Sequence, residues 1–217
     1  MKIRQMLAPY GTAARCGYSL QPEYITLHNT ANLRATATAA AHARYLQGAG
    51  SMKEVSYHYV VDDKEIIRCI PDNEVAWHAG DTGKGPGNRK SIAIEICENE
   101  GGNLYNATQN AAWLAAFLMR EYNIPLKNVV QHNHWSQKNC PNRIRKGEPY
   151  GWAEFLTNVS REFDLAQEQE STQEAQLKEQ IAQKTQRIMV LEQVLEKVKA
   201  AVSKAEPLTS QPTGGAI

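Results

Sequence analysis

All nine Tyr, four Trp, three Phe, four Cys and six His of this 217-residue chain lie before Asp164. A segment with no aromatic side chain and no cysteine has little with which to fill a core of its own. The asymmetry therefore predicts a globular domain over residues 1–163, large enough for one core. A helical tail over 164–206 and a flexible C-terminus over 207–217 are expected to follow. Charge divides at the same place. Residues 1–163 hold 18 Lys+Arg against 15 Asp+Glu, and residues 164–217 hold 6 against 8. The overall balance of +1 is too small to argue for a nucleic-acid partner. No run of about 18 apolar residues occurs, so neither a transmembrane helix nor a membrane partner is expected. The opening MKIRQMLAPYGTAARCGYSL is basic but lacks a continuous apolar stretch, so no secretory signal peptide is expected. Cys16, Cys69, Cys97 and Cys140 form no CxxC pair and suggest no disulfide framework.

Within the first domain, hydrophobic period and punctuation outline the elements. Tyr24–Asn29 (YITLHN) reads as a strand, and Thr36–Gln47 as an Ala-rich helix stopped by Gly48. Val55–Val61 and Glu65–Ile70 flank Asp62-Asp63 as a hairpin. Ser91–Cys97 (SIAIEIC) alternates as a strand, Ala107–Tyr122 has a helical apolar face, Asn128–His132 is a strand and Pro149–Phe163 a last helix. Strands alternating with helices predict an α/β fold: a single mixed β-sheet flanked by helices, followed by the helical, coiled-coil-like tail. The glycine-rich Asp81–Lys90 lacks the GxxxxGK[ST] spacing, so it reads as a loop bordering a groove rather than a phosphate cradle. In the tail, Ile181, Ile188, Leu195 and Val202 recur every seven residues. Leu177, Lys184, Leu191 and Val198 lie four positions behind them. That stripe, faulted only at Lys184, predicts a possible homo-oligomer through residues 177–202, with a solvated helical linker as the alternative.

Three features of the domain suggest chemistry. Glu95 shares its strand face with Ser91, Ala93 and Cys97, opposite Ile92, Ile94 and Ile96. A carboxylate there is costly unless it is paired, metal-bound or open to a wet cleft. His28 ends the first strand in LHNTA, and His132 ends a later one, eight residues before Cys140 in HNHWSQKNCPNR. Two imidazoles and a thiol are donors suited to zinc, and three protein ligands leave a fourth position open. From spacing alone a metal site and a structural role both remain open. His134, two residues from His132, is a rival ligand.

LHNTA, SYHYVVDD, VAWHAGD, SIAIEIC and HxxWSQKNCPNRI together resemble the zinc-dependent N-acetylmuramoyl-L-alanine amidases of the type-2 family. That family includes phage endolysins, bacterial autolysins and peptidoglycan recognition proteins. The similarity covers roughly residues 20–160, and its most specific part is the final His-to-Cys-Pro motif. It implies a mixed-sheet amidase fold, Zn2+ as cofactor and bacterial peptidoglycan as partner. It further implies the ligands His28, His132 and Cys140, with Glu95 as general base. Lys138 or the Tyr57 hydroxyl is implied to hold the oxyanion, and Trp77 and His78 to line the substrate groove. His42 and His58 are expected to be structural or surface residues. Cys16, Cys69 and Cys97 are expected in the core, and Trp135 and Trp152 under loops. The bond implied to be cut joins the lactyl carbonyl of N-acetylmuramic acid to the L-alanine nitrogen of the stem peptide. A peptidoglycan-binding protein without catalysis is the alternative, although such members generally lack the cysteine ligand. An endolysin made in the cytoplasm and acting on the wall after holin-type or non-classical release fits these expectations.

Overall fold

The computed structural model describes residues 2–204. The chain divides after Ala166 into two compact units. The first is built on six strands: β1 (Ile3–Gln5), β2 (Tyr24–Asn29), β3 (Tyr59–Val61), β4 (Ile66–Arg68), β5 (Ser91–Ile96) and β6 (Val129–Gln131). They form one sheet in the order β1-β4-β3-β5-β2-β6. Only β3 and β4 run antiparallel; the other neighbours are parallel. Six helices accompany them: α1 (Ala39–Gln47), α2 (Pro86–Lys90), α3 (Leu104–Tyr122), α4 (Asn133–Ser136), α5 (Asn142–Arg145) and α6 (Trp152–Lys204).

Local sequence explains where the main helices begin and stop. The Thr38 side chain accepts from the Ala41 amide to open α1, and Gly48 closes it. Asn103 does the same for α3 through Asn106, and Asn123 ends that helix in the left-handed region at φ 52°. The strand alternation of β5 then divides the core. Ile92, Ile94 and Ile96 pack with Ile25 and Leu27 against the α3 side, in the cluster that holds Leu114 and Leu118. Ala93 and Cys97 face the other way, in the cluster with Ala39, Ala43 and Leu46 of α1. Thr26, His28 and Glu95 share this second face by the same period of two. In open sheets dominated by parallel strands, clefts form beyond the carboxyl ends of those strands. Here His28 and Glu95 stand at those ends.

The hairpin strands are shorter than the alternation predicts, because only residues 59–61 and 66–68 pair. β1 carries no period long enough to read, yet it pairs in parallel with β4 along the sheet edge. The loop expected over 81–90 ends in α2, opened by Pro86 at its first turn. The last helix does not stop at Phe163 but continues to Lys204. Among described residues of the second unit, every side chain from 167 to 204 is exposed, including the heptad stripe. The C-terminus expected to be flexible, 207–217, lies outside the described residues. No described helix is long and apolar enough to cross a membrane.

Ile94 is fully buried on the central strand. Ile94→Ala is expected to lower the unfolding free energy of the first unit by about 2–5 kcal/mol through lost burial and a residual cavity. Urea unfolding followed by tryptophan fluorescence reads this unit, because all four Trp lie within it.

Candidate metal centre and active site

β2 and β5 pair with His28 directly opposite Glu95, so parallel register sets an imidazole beside a carboxylate. β6 lies on the other side of β2, and the chain leaves it at His132, whose amide donates to the Leu27 carbonyl at 3.2 Å. The following segment turns back at once. α4 ends at Gln137 in the left-handed region, and the Asn133 amide donates to the Cys140 carbonyl at 3.0 Å. This fold-back returns the thiol to the histidines. One donor atom each from His28, His132 and Cys140 lies within 4.8 Å of the others, and all three residues are buried. Cys140 Sγ is 3.8 Å from His28 Nδ1.

Hydrogen bonds on the far side of each ring decide which nitrogen is free. His132 Nε2 donates to the Ala79 carbonyl at 3.0 Å. Its Nδ1 is buried with no hydrogen-bond partner among the described residues. His78 Nε2 lies 3.3 Å from the Ser91 carbonyl, which can only accept. His78 Nδ1 is therefore the acceptor for His28 Nε2 at 3.1 Å, leaving the His28 Nδ1 lone pair facing the thiol. Burial holds His28 well below the usual imidazole value, reinforced by the charges of His78, His132 and Lys138. Burial also lowers His132, with Lys138 adding to the effect. Both rings thus stay neutral and able to donate lone pairs. The Cys140 thiol is pushed up to about 11, first by burial and then by the Glu95 charge. A buried nitrogen without a partner, a second lone pair beside it and a thiol in reach fit a bound metal ion.

Glu95 lines the same cleft, an opening of about 940 Å³. Its Oε2 is buried and has no hydrogen-bond partner among the described residues. Burial raises its pKa to about 7; Lys138 opposes that shift and Glu98 adds to it. A carboxyl group poised there can exchange protons near neutrality. Lys138 is exposed and lines the cleft. Trp77 also lines it, its indole nitrogen donating to the Ala13 carbonyl at 3.0 Å and the Arg89 guanidinium lying over its ring.

Tyr57 departs from its expected role. Its hydroxyl donates to the His42 carbonyl at 3.0 Å, and the side chain packs in the α1-side core. The cleft lining does not include it. A phenol committed to a backbone carbonyl is not free to hold an oxyanion. His78, expected as groove wall, does border the cleft but is buried and turned onto His28. His134 diverges from His132 because the segment is a helical turn, not extended: it is exposed, with its ring edge against Trp135. His58 is fully buried, accepting from the Ala93 amide and donating to the Glu74 carbonyl, a purely internal brace. His42 is half-buried. Cys69 and Cys97 are core residues and Cys16 packs partly buried against the core. Trp135 donates to Thr26 Oγ1, and Trp152 stacks on Phe155. Asn88, which braces the 78–79 backbone, escaped the sequence reading, since a lone Asn in a glycine-rich stretch looks like any other loop residue.

A metal ion bound by these donors would displace the Cys140 proton and none from the neutral imidazoles. At pH 8, above the Glu95 value, binding is expected to release about one proton per ion, and affinity to climb roughly tenfold per pH unit below the thiol value. Calorimetry in buffers of different ionisation enthalpy reads that proton. Its absence would remove Cys140 from the donor set.

The family described as N-acetylmuramoyl-L-alanine amidase matches residues 18–143. The N-acetylmuramoyl-L-alanine amidase XlyA of Bacillus subtilis (strain 168) is 52% identical over 144 residues, covering 66% of this chain and 48% of XlyA. CwlH of the same organism, named likewise, is 44% identical over 158 residues, covering 73% of this chain and 61% of CwlH. The chain thus spans about half to three-fifths of the length of these relatives. The solved catalytic domain of XlyA superposes with a TM-score of 0.68 at 48% identity, covering 73% of this chain and 99% of that domain. With the match reaching from the first sheet strands of the cleft through Cys140, the chain belongs to the N-acetylmuramoyl-L-alanine amidase family.

Proposed function

We propose that residues 1–163 form a zinc-dependent N-acetylmuramoyl-L-alanine amidase domain acting on bacterial peptidoglycan. The bond cut is the amide between the lactyl group of N-acetylmuramic acid and the L-alanine of the stem peptide. The observation that carries this reading is one cleft holding both a three-donor cluster, His28, His132 and Cys140, and a carboxyl group with a pKa of about 7. Kinship with XlyA and CwlH supports the substrate class. Two imidazoles and one thiolate suit zinc among the common metals and leave a coordination position open.

Zinc bound there would supply Lewis acidity toward the amide carbonyl and toward water. The protein's own groups do the rest. Glu95, ionised above about pH 7, takes a proton from the attacking water and later delivers it to the leaving amine. Lys138 brings a positive charge to the cleft where the oxyanion develops, a contribution of about 10²–10³ in rate for a single donor. Trp77 offers an apolar wall to the glycan or peptide. His78 accepts a hydrogen bond from His28 Nε2–H and so keeps the opposite nitrogen as the lone-pair donor.

Glu95→Ala is expected to abolish the release of L-alanyl amino termini from purified cell walls. Lys138→Ala should reduce it about 10²–10³-fold. Zinc content well below one per chain is expected in Cys140→Ser, while His134→Ala keeps its metal. Full activity in Glu95→Ala would remove that residue from the mechanism. A protein that binds walls but releases no new amino termini would be a binding module.

The second unit supports a further part of the reading, a parallel coiled coil of two copies through residues 177–202. Ile181, Ile188, Leu191 and Leu195 are all about half exposed along one stripe. Ile181, Ile188 and Val202 at one core position and Leu177 and Leu191 at the other follow the pattern of two parallel strands, from which Lys184, Leu195 and Val198 depart. Arg187 and Glu192 flank the stripe where opposite charges meet in such a pair. Sedimentation of the full chain at tens of micromolar is expected to show a dimer that Ile188→Glu dissociates. A monomeric parent chain would overturn it.

A further inference from the structure

Both histidine donors are oriented by consecutive residues of one segment. His28 Nε2–H donates a hydrogen bond to the His78 ring, and His132 Nε2–H donates one to the carbonyl of Ala79. The backbone amides of those same two residues, His78 and Ala79, donate to one atom, Asn88 Oδ1, at 2.8 and 2.9 Å. Asn88 is buried, and its amide nitrogen donates to the Thr82 carbonyl at 2.9 Å, so every polar group of the side chain is used. Asp81 in turn accepts from the amides of Gly87 and Asn88, at 2.6 and 3.3 Å, and sets the start of α2.

The packing leaves little slack around this brace. A Cβ on Gly87 would fall 2.5 Å from Ala79 Cβ and 2.7 Å from Trp135 Cγ, so the α2 backbone lies directly on Ala79. Gly80 turns the chain away immediately afterwards at φ 67°, a conformation open to glycine without strain. A carboxylate at position 88 could accept both amides but would present an acceptor to the Thr82 carbonyl. An alanine could do neither. The requirement at this site is for an amide side chain.

We infer that Asn88 is a positioning residue for the metal centre, fixing His28 and His132 together through the 78–79 backbone. The inference rests on the metal-site reading above. Partners that orient histidine ligands typically govern metal affinity by 10–100-fold. One side chain that sets two such partners couples both ligands to a single contact outside the donor set.

The test is zinc affinity of the full chain, measured with zinc alone by competition against a chelating dye. Asn88→Ala is expected to raise the zinc dissociation constant about 10–100-fold, and Asn88→Asp, which keeps the acceptor, by a smaller factor. In the metal-free protein, the sharp imidazole N–H proton resonances of His28 and His132 are expected to broaden together in Asn88→Ala. A role in stability alone would lower the thermal midpoint of the metal-free protein and leave the zinc constant and these resonances unchanged, which overturns the inference. Should Asn88→Ala fail to fold, unchanged zinc affinity in Asn88→Asp overturns it equally. Failure of the parent chain to bind zinc would instead sink the metal-site reading itself, so the two outcomes stay distinct.

Discussion

The parallel pairing of β2 with β5 carries the site, because its register sets His28 opposite Glu95 on the face turned away from α3. A shift of one residue in β2 would send His28 into the isoleucine-rich core and bring Leu27 to the cleft, and the same shift in β5 would exchange Glu95 for Ile94. The apolar face enforces the register: Ile25, Leu27, Ile92, Ile94 and Ile96 are all fully buried against the α3 cluster. Hydrophobic packing on one side of the sheet thus determines polar geometry on the other.

Burial then shapes the electrostatics of what that register exposes. Desolvation pushes the imidazoles toward neutrality and the carboxyl group toward a neutral-range pKa. The imidazoles thereby keep their lone pairs free, whereas the carboxyl group holds its proton up to about pH 7. The orphaned Nδ1 of His132 and Oε2 of Glu95 show the same thing in hydrogen-bond terms. Polar atoms left without partners in a buried setting are costly, and they persist where a ligand or a reacting group is to meet them.

Around this centre, the contacts that orient both histidine rings come from the segment 77–91. Ser91 orders His78, Ala79 orders His132, and Asn88 orders the peptide that links them. Trp77 and Arg89 from the same stretch meet over the cleft wall. The segment both borders the groove and holds its floor, and Gly87 serves close approach there, since it admits no Cβ against Ala79 and Trp135. The second unit has another physical character, with every described side chain from 167 to 204 exposed along a helix that keeps a seven-residue apolar period.

The candidate donors were named only through the resemblance of their motifs, whereas the two strands of the site, the long helix α3 and the split between a core-forming domain and a core-less tail were legible in the sequence itself. Each rests on a period or a composition that a linear chain displays: the alternation of SIAIEIC, the helical face of 107–122, the confinement of aromatics before Asp164. Strand β1 was not legible, since three residues carry no period and only the neighbouring β4 makes them a strand. Tertiary structure alone turned Tyr57 onto the His42 carbonyl and His78 onto His28. It also separated His134 from His132 by a helical turn and gave Asn88 its two amides. Hydrogen bonds between residues distant in sequence leave no periodic trace in it. Residue type says what a side chain can bond, and only the folded chain decides which partner it meets.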